Sequence, residues 1–167
     1  MRIATWNINS VRQRIDHLIN WLTEAQPDVV CLQEIKCLDD AFPRLEIEAL
    51  GYQVETHGQK TFNGVALLSR HRMEDVRRGL PGDVGDEQAR YIEAVVTHPD
   101  GGVVRVASIY LPNGNPVGTE KYDYKLAWMS RLRAHAAHLL ALEEPLFLCG
   151  DYNVIPDARD ARQPFAI

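Results

Sequence analysis

Apolar residues in the first part of the chain follow two spacings, one typical of buried strands and one typical of an amphipathic helix. Strands are predicted at residues 3–8 and 28–34, where DVVCLQE has the continuous apolar character of a strand buried on both faces. Ser10 with Gln13 predicts a capping box for the helix between them, and Pro27 predicts the end of that helix. The apolar face of the helix consists of Val11, Ile15, Leu18, Ile19 and Leu22.

Most of the remaining chain is strand-like. A weaker helical segment at residues 39–50 precedes strands predicted at 52–56, 64–69, 91–98 and 103–111. The longest helical pattern covers residues 119–143, with His135 and His138 predicted on its solvated face, and a last apolar strand begins after Pro145. The apolar side of this helix is predicted to hold Leu126, Met129, Leu132, Ala136, Leu139 and Leu140. This order of elements predicts an α/β fold of the α+β type, with mixed sheets and helices packed on them, in one domain.

Composition narrows the class of protein mainly by exclusion. No run approaches the roughly 18 apolar residues of a membrane span, and the N-terminus lacks the apolar core of a signal peptide. The three cysteines lack zinc-type spacing and are typical of a reducing compartment, so we expect a cytoplasmic protein without membrane contact. The net charge of −5 argues against nucleic-acid affinity from overall charge. Any phosphate binding must therefore be organised by a local site.

Polar side chains lie at or just beyond the ends of four of the predicted strands. They are Asn7 and Asn9, then Glu34, then Tyr110 and Asn113, and finally Asp151 and Asn153. Ligand sites collect at strand ends in α/β sheets, and carboxylate and amide oxygens suit a hard cation such as Mg²⁺, with Mn²⁺ as the alternative. A neutral amide can also donate to a phosphate oxygen. The pattern favours metal-assisted phosphoester hydrolysis.

Each of these motifs also has a purely structural interpretation. Asp-x-Asn after a strand is most often a turn, and Glu34 alone is typical of a solvated strand end. The stretch from Asn113 to Pro116 alone predicts a loop. Only the combination of carboxylates, amides and a phenol at separate strand ends favours a phosphoester site, and on the residues alone both interpretations stay open.

Five segments, in their order along the chain, resemble the exonuclease III branch of the exonuclease/endonuclease/phosphatase superfamily. They are WNINSVRQR, LQEIK, FNGVALLS, YLPNGNPVGTEKYDYKLAW and LCGDYN. LQEIK and GDYN indicate only the superfamily, whereas YLPNGNPVGTEKYDYKL is more specific for the DNA-repair branch. The resemblance implies a four-layered α/β sandwich. It also implies an Mg²⁺-dependent nuclease that incises duplex DNA 5′ to abasic sites and acts on 3′ ends as an exonuclease and phosphatase.

The resemblance assigns roles to residues by position. Glu34 matches the metal-binding glutamate, Asp151 the aspartate that orients the attacking water, and Tyr110 the active-site tyrosine. Asn7 and Asn153 match the asparagines beside the metal and the phosphate, so the implied metal set is Glu34, Asn7, Asp151 and Asn153. The residues expected near DNA are Asn9, Arg90, Asn113, Lys121 and Lys125. The implied partner is duplex DNA with abasic sites or 3′ ends, and the implied full-length protein is a monomer.

The resemblance covers only the N-terminal portion of the family pattern. Family members have a second half that supplies an aspartate in an RID-type strand and a terminal Ser-Asp-His, and no Ser-Asp-His occurs in this sequence. We therefore expect residues 1–167 to be the N-terminal part of a single nuclease domain, incomplete at its C-terminal side. Two alternatives stay open: a phosphatase or phosphodiesterase acting on a small molecule, and a non-catalytic fragment that binds DNA.

Overall fold

The computed structural model describes residues 1–162 and contains eight strands and three α-helices within that range. The strands are β1 (Ile3–Asn7), β2 (Val29–Gln33), β3 (Gln53–His57), β4 (Val65–Ser69), β5 (Met73–Arg78), β6 (Tyr91–Thr97), β7 (Val103–Tyr110) and β8 (Leu146–Asp151). The helices are α1 (Ile15–Ala25), α2 (Arg44–Glu48) and α3 (Glu120–Leu140), with short 3₁₀ turns at Asp39–Ala41 and Ala158–Asp160. None of the helices in this range is both long enough and apolar enough to cross a membrane.

The strands form two mixed sheets, each with one parallel pair at one edge and two antiparallel pairings beside it. The first sheet has the order β1-β2-β4-β3 and the second has the order β5-β6-β7-β8. Parallel pairing occurs between β1 and β2 and between β7 and β8, and the other neighbours are antiparallel. Parallel neighbours need a crossover, which α1 supplies in the first sheet and α3 in the second. Each crossover brings two carboxyl ends to the same edge, Asn7 opposite Gln33 and Tyr110 opposite Asp151.

Three separate apolar layers hold the helices and sheets together, which confirms the expected four-layered sandwich. In β2, Val30 and Leu32 pack toward α1 and α2, whereas Val29 and Cys31 pack into the layer between the two sheets. The continuous apolar run of this strand follows from its burial on both faces. On the far side of the second sheet, Trp128 belongs to the layer that α3 buries.

One helix start and one strand differ from the predicted pattern. Ser10 does not cap α1: its Oγ lies 3.4 Å from the Gln13 N–H in a turn that precedes the helix, which begins at Ile15. The strand β5 was not predicted, because four of its six residues are charged and the segment lacks apolar alternation. Among residues 1–162 this strand pairs with β6 alone, through a register shift between Glu74 and Arg77, as is common for an exposed edge strand.

The buried stripe of α3 is displaced from the predicted one. It consists of Trp128, Leu132, His135 and Leu139, whereas Leu126, Met129 and Leu140 are exposed. The prediction of a solvated face is wrong for His135, which is buried with its Nε2 2.6 Å from a carboxylate oxygen of Glu93. It is right for His138, which is exposed. The residue that draws His135 inward lies in β6, 42 positions earlier in the chain, so the helical pattern alone does not reveal it.

Glu93 is the centre of a buried polar network between the second sheet and α3. Its side chain is fully buried, and its two oxygens accept hydrogen bonds from Arg105 (2.9 Å) and Tyr91 (3.2 Å). Arg105 also contacts Glu144 at 3.0 Å and Asp75 at 3.3 Å. A buried carboxylate is tolerated only with such partners, because its desolvation costs several kcal/mol.

Replacement of Glu93 by alanine should destabilise the fold strongly, because it leaves the buried side of Arg105 without its carboxylate. We expect Glu93→Ala to lower the free energy of unfolding by about 3–5 kcal/mol in urea denaturation. The matched control is Glu55→Ala, which breaks the partly exposed 2.6 Å ion pair with Arg78. It should cost about 1 kcal/mol or less. Equal losses in the two variants would contradict this view of the network.

Candidate functional site

Two carboxylates from different sheets are joined by one amide. The side-chain Nδ2 of Asn7 donates to Oε2 of Glu34 at 2.5 Å and to Oδ2 of Asp151 at 2.9 Å. Asn7 ends β1 and Glu34 follows β2 in the first sheet, whereas Asp151 ends β8 in the second sheet. The structure thus brings together strand ends that are far apart in sequence, and it makes them one site between the sheets.

Tyr110 and Asn153 flank this pair of carboxylates. Tyr110 lies opposite Asp151 in the register of β7 and β8. Burial, followed by the negative charge of Glu34, raises the pKa of Tyr110 to about 12, so its phenol is a hydrogen-bond donor at neutral pH. The backbone N–H of Asn153 donates to Oδ1 of Asp151 at 3.0 Å, and its side-chain Nδ2 donates to the carbonyl of Leu111 at 2.7 Å.

The backbone at these strand ends adopts conformations that are unfavourable for side chains other than glycine. Glu34 (φ 53°), Asn9 (φ 45°) and Asn153 (φ 45°) all have left-handed backbone geometry. Such residues cost about 1–3 kcal/mol each and concentrate at functional sites. Gly150 allows β8 to approach β7, because a Cβ there would lie 2.0 Å from the carbonyl oxygen of Ile109.

Two residues that the sequence analysis did not assign also belong to the site. Lys36 donates to Oδ1 of Asn9 at 2.6 Å and lies 3.7 Å from Oε1 of Glu34. Gln33, the residue before Glu34, is buried. Its Nε2 donates to Thr5 of β1 at 3.0 Å and to Ser108 of β7 at 3.1 Å. The available signal was the amide of Gln33 inside an apolar strand, since a buried amide must find hydrogen-bond partners.

The residues expected near DNA contact different parts of the site. Lys125 bridges two loops, with Nζ 2.6 Å from the carbonyl of Asn153 and 3.1 Å from that of Asn113. Lys121 is exposed, and it lines a groove together with Arg90. The residues that complete this groove include Phe62, Asn113, Gly114 and Tyr124. The side chain of Asn9 accepts a hydrogen bond from Lys36.

The donor chemistry of the site fits a hard cation that keeps several waters. Within residues 1–162, no group of three or more His, Cys, Asp or Glu side chains has the arrangement of a metal cage. Mg²⁺ does not require one, because it commonly takes one or two carboxylates and leaves its other positions to water and phosphate. Glu34 and Asp151 can supply those carboxylates. In this geometry the amide of Asn7 presents its nitrogen to the carboxylates, and its oxygen accepts from the Asn9 N–H at 3.1 Å.

The endonuclease/exonuclease/phosphatase family pattern matches residues 4–166. The chain belongs to the endonuclease/exonuclease/phosphatase family. The match confirms the resemblance carried by the five sequence segments and is consistent with the four-layered fold. It does not by itself assign roles to single residues, so the site assignments stay proposals.

Similar proteins are DNA-processing enzymes by name. Exodeoxyribonuclease III of Haemophilus influenzae is 37% identical over 161 residues, which cover 96% of this chain and 60% of that protein. The 3′ phosphatase NExo from Neisseria, solved with a product DNA hairpin, has a TM-score of 0.92 and 36% identity, covering 98% of this chain and 62% of that one. An AP endonuclease from Archaeoglobus fulgidus has a TM-score of 0.86 and 38% identity, covering 94% of this chain and 59% of that one. The chain therefore spans about 60% of the length of its relatives.

Removal of one carboxylate should weaken divalent-cation binding without any substrate present. We expect Glu34→Gln to lower Mg²⁺ or Mn²⁺ affinity at least about tenfold in calorimetric titration, because a neutral amide replaces a charged ligand. Glu46→Gln, an exposed glutamate of α2, is the matched control and should leave the affinity unchanged. Equal affinities of wild type and Glu34→Gln would place the cation elsewhere.

Proposed function

We propose that this chain carries the catalytic site of an Mg²⁺-dependent DNA-repair nuclease. The reaction is hydrolysis of the phosphodiester 5′ to an abasic site, accompanied by 3′→5′ exonuclease and 3′-phosphatase activity on duplex DNA. The observation that supports it most is the pair of carboxylates, Glu34 and Asp151, joined by Asn7 and flanked by Tyr110. The names of the similar proteins, an exodeoxyribonuclease, a 3′ phosphatase and an AP endonuclease, point to the same substrate class.

Asp151 is suited to orient the attacking water. Its Oδ1 accepts from the Asn153 N–H and its Oδ2 accepts from Asn7, so both oxygens have fixed directions. Each carboxylate oxygen can accept a further hydrogen bond, which leaves room for a water. Attack of that water on phosphorus would break the bond between phosphorus and the 3′ oxygen. The 3′ oxygen would take up a proton and leave as a 3′-hydroxyl, and the phosphate would stay on the 5′ side of the abasic sugar.

Neutral donors around the carboxylates would stabilise the charge that develops on the phosphate oxygens. Tyr110 supplies a protonated phenol, and Asn153 supplies an amide held in place by Leu111. Fixed donors of this kind lower the barrier because they need no reorganisation during the reaction. A cation held by Glu34 would polarise the phosphate and neutralise part of its charge.

The proposed DNA contacts are local rather than general. Lys121, Arg90 and Asn113 line one groove, and Asn9 contacts Lys36, which lies 3.7 Å from Glu34. Lys125 would act by holding the loops of Asn113 and Asn153 near the duplex. We further propose that the full-length protein is monomeric and cytoplasmic. Both features stay predictions, as does the assignment of residues 1–167 to the N-terminal part of one nuclease domain.

Cleavage of an abasic duplex tests the proposed function directly. With a duplex oligonucleotide that carries one abasic site, we expect incision in Mg²⁺ and none in EDTA. Asp151→Asn should lower turnover about 10²–10⁴-fold, because it removes the group that orients the water, and should change stability little. Asp100→Asn, at an exposed turn, is the matched control and should cleave normally.

Three other outcomes would argue against the proposal. Near-normal turnover of Asp151→Asn would show that the aspartate does not orient the attacking water. Preferential hydrolysis of small soluble phosphoesters would favour a phosphatase of the same family. Duplex binding by folded protein without metal-dependent cleavage would favour a non-catalytic DNA-binding fragment.

The pH dependence of a Tyr110 variant tests the role of the phenol. The pKa of Tyr110 is raised from its usual 10 to about 12, so the donor form persists up to pH values near 12. Tyr110→Phe should therefore lower turnover by the same factor, about 10²–10³, at every pH from about 7 to 10. The measurement is kcat for abasic-site incision across that range. A defect that disappears between pH 9 and 10 would show that the phenol has already lost its proton.

A further inference from the structure

The guanidinium of Arg90 lies between two tyrosine rings at the edge of the site. Its Cζ is 4.9 Å from the ring centroid of Tyr110 and 5.8 Å from that of Tyr124. Its Nη1 donates to the carbonyl of Tyr110 at 3.2 Å, and its Nε donates to Oε1 of Gln88 at 2.7 Å. The backbone and ring of Tyr110 thus both contact the same cation.

Two of the three residues that contact Arg90, Tyr124 and Gln88, are themselves bound to the carboxylate of Asp86. Oδ2 of Asp86 accepts from the hydroxyl of Tyr124 at 2.8 Å, and Oδ1 accepts from the backbone N–H of Gln88 at 3.0 Å. The Asp86 side chain is only 7% exposed and forms an ion pair with Arg131 at 2.8 Å. Burial opposes ionisation, but hydrogen bonds from Arg131, Gln88 and Tyr124 outweigh it and lower the pKa of Asp86.

Arg131 of α3 fixes Asp86 relative to that helix. Its guanidinium donates to the carbonyls of Leu80 at 2.6 Å and Pro81 at 3.3 Å. The loop between β5 and β6 is therefore held to α3 by the side chains of Tyr124 and Arg131. Asp86 lies within this loop and connects it to Tyr110 through Arg90.

We propose that Asp86 is a positioning residue for the phosphoester site: through Tyr124 and Gln88 it holds the guanidinium of Arg90 against Tyr110, where Arg90 meets a substrate phosphate. This inference rests on the proposed function for the identity of the substrate. Of the five N–H donors of an arginine, Arg90 uses two on the described protein groups. The others are available to an anion in the groove that Arg90 lines with Asn113 and Lys121.

A purely structural role for Asp86 would give a different pattern of effects. If Asp86 only tied the loop to α3, its loss would disturb the site equally whether or not Arg90 is present. If Asp86 acts through Arg90, removing Arg90 first should abolish the effect of changing Asp86. A double-mutant cycle separates these cases.

The cycle compares Asp86→Asn and Tyr124→Phe in the wild-type and Arg90→Gln backgrounds. We expect each single change to lower kcat for abasic-site incision about five- to tenfold in the wild-type background and to have no further effect beside Arg90→Gln. Tyr124→Phe keeps the ring beside Arg90 and removes only the hydroxyl, so it tests the proposal even if Asp86→Asn fails to fold. Equal losses in both backgrounds would overturn the proposal.

Tyr52→Phe is the matched control for a lost tyrosine hydrogen bond. Its hydroxyl donates to the carbonyl of Pro27 at 2.7 Å in a buried position just before β3, and Tyr52 does not line the groove. This variant should leave kcat unchanged. A loss of kcat as large as that of Tyr124→Phe would show that any missing buried hydroxyl disturbs the site, and would overturn the specific role of Asp86.

A second readout needs no turnover and separates this proposal from the proposed function. The Nε–H signal of Arg90 in ¹⁵N NMR, identified by its loss in Arg90→Gln, should show slow rotation of the guanidinium in wild type. It should show at least about tenfold faster rotation in Tyr124→Phe and unchanged rotation in Tyr52→Phe. Unchanged rotation in Tyr124→Phe would overturn the positioning role. If the chain cleaves no DNA but the rotation changes as expected, the proposed function fails while the arrangement around Arg90 stands.

Discussion

The site depends on a single amide that lies between two like charges. Asn7 donates from one nitrogen to Glu34 and Asp151, which are carried by different sheets. Two carboxylates that both reach the same amide nitrogen repel each other unless a donor or cation lies between them. Gln33 also joins the two sheets, because its amide donates to Thr5 of β1 and to Ser108 of β7. These contacts therefore join the two sheets at the position where the polar groups of the site meet.

The parallel pair in each sheet explains why the junction forms at strand ends. The parallel pair β1 and β2 and the parallel pair β7 and β8 each end at the site, and β1 contacts β8 across the sandwich. The helices α1 and α3 provide the crossovers on the two outer faces. Four chain segments from both halves of the molecule thus contribute polar groups to one edge. Backbone strain at Glu34 and Asn153 is tolerated because neighbouring groups fix both residues.

The sequence predicted the strands that carry the site better than it predicted the contacts between them. Short apolar runs that stop at Asn7, Glu34, Tyr110 and Asp151 identified both the strands and the candidate residues. The pattern did not reveal β5, because its charged residues lie on an exposed edge. It also did not reveal the partners of His135 or Asp86, which lie about 40 positions away in sequence. Such pairs depend on how the layers pack, and local periodicity carries no information about that.

The central claim is that Glu34 and Asp151 act as one site although they belong to different sheets. Turnover of abasic duplex in Mg²⁺ by the wild type, Glu34→Gln, Asp151→Asn and the double variant tests this claim most directly. Groups that act as a unit are strongly non-additive in catalysis. The double variant should be no slower than the slower single variant. Losses that multiply in the double variant would show that the two carboxylates act independently and would contradict a shared site.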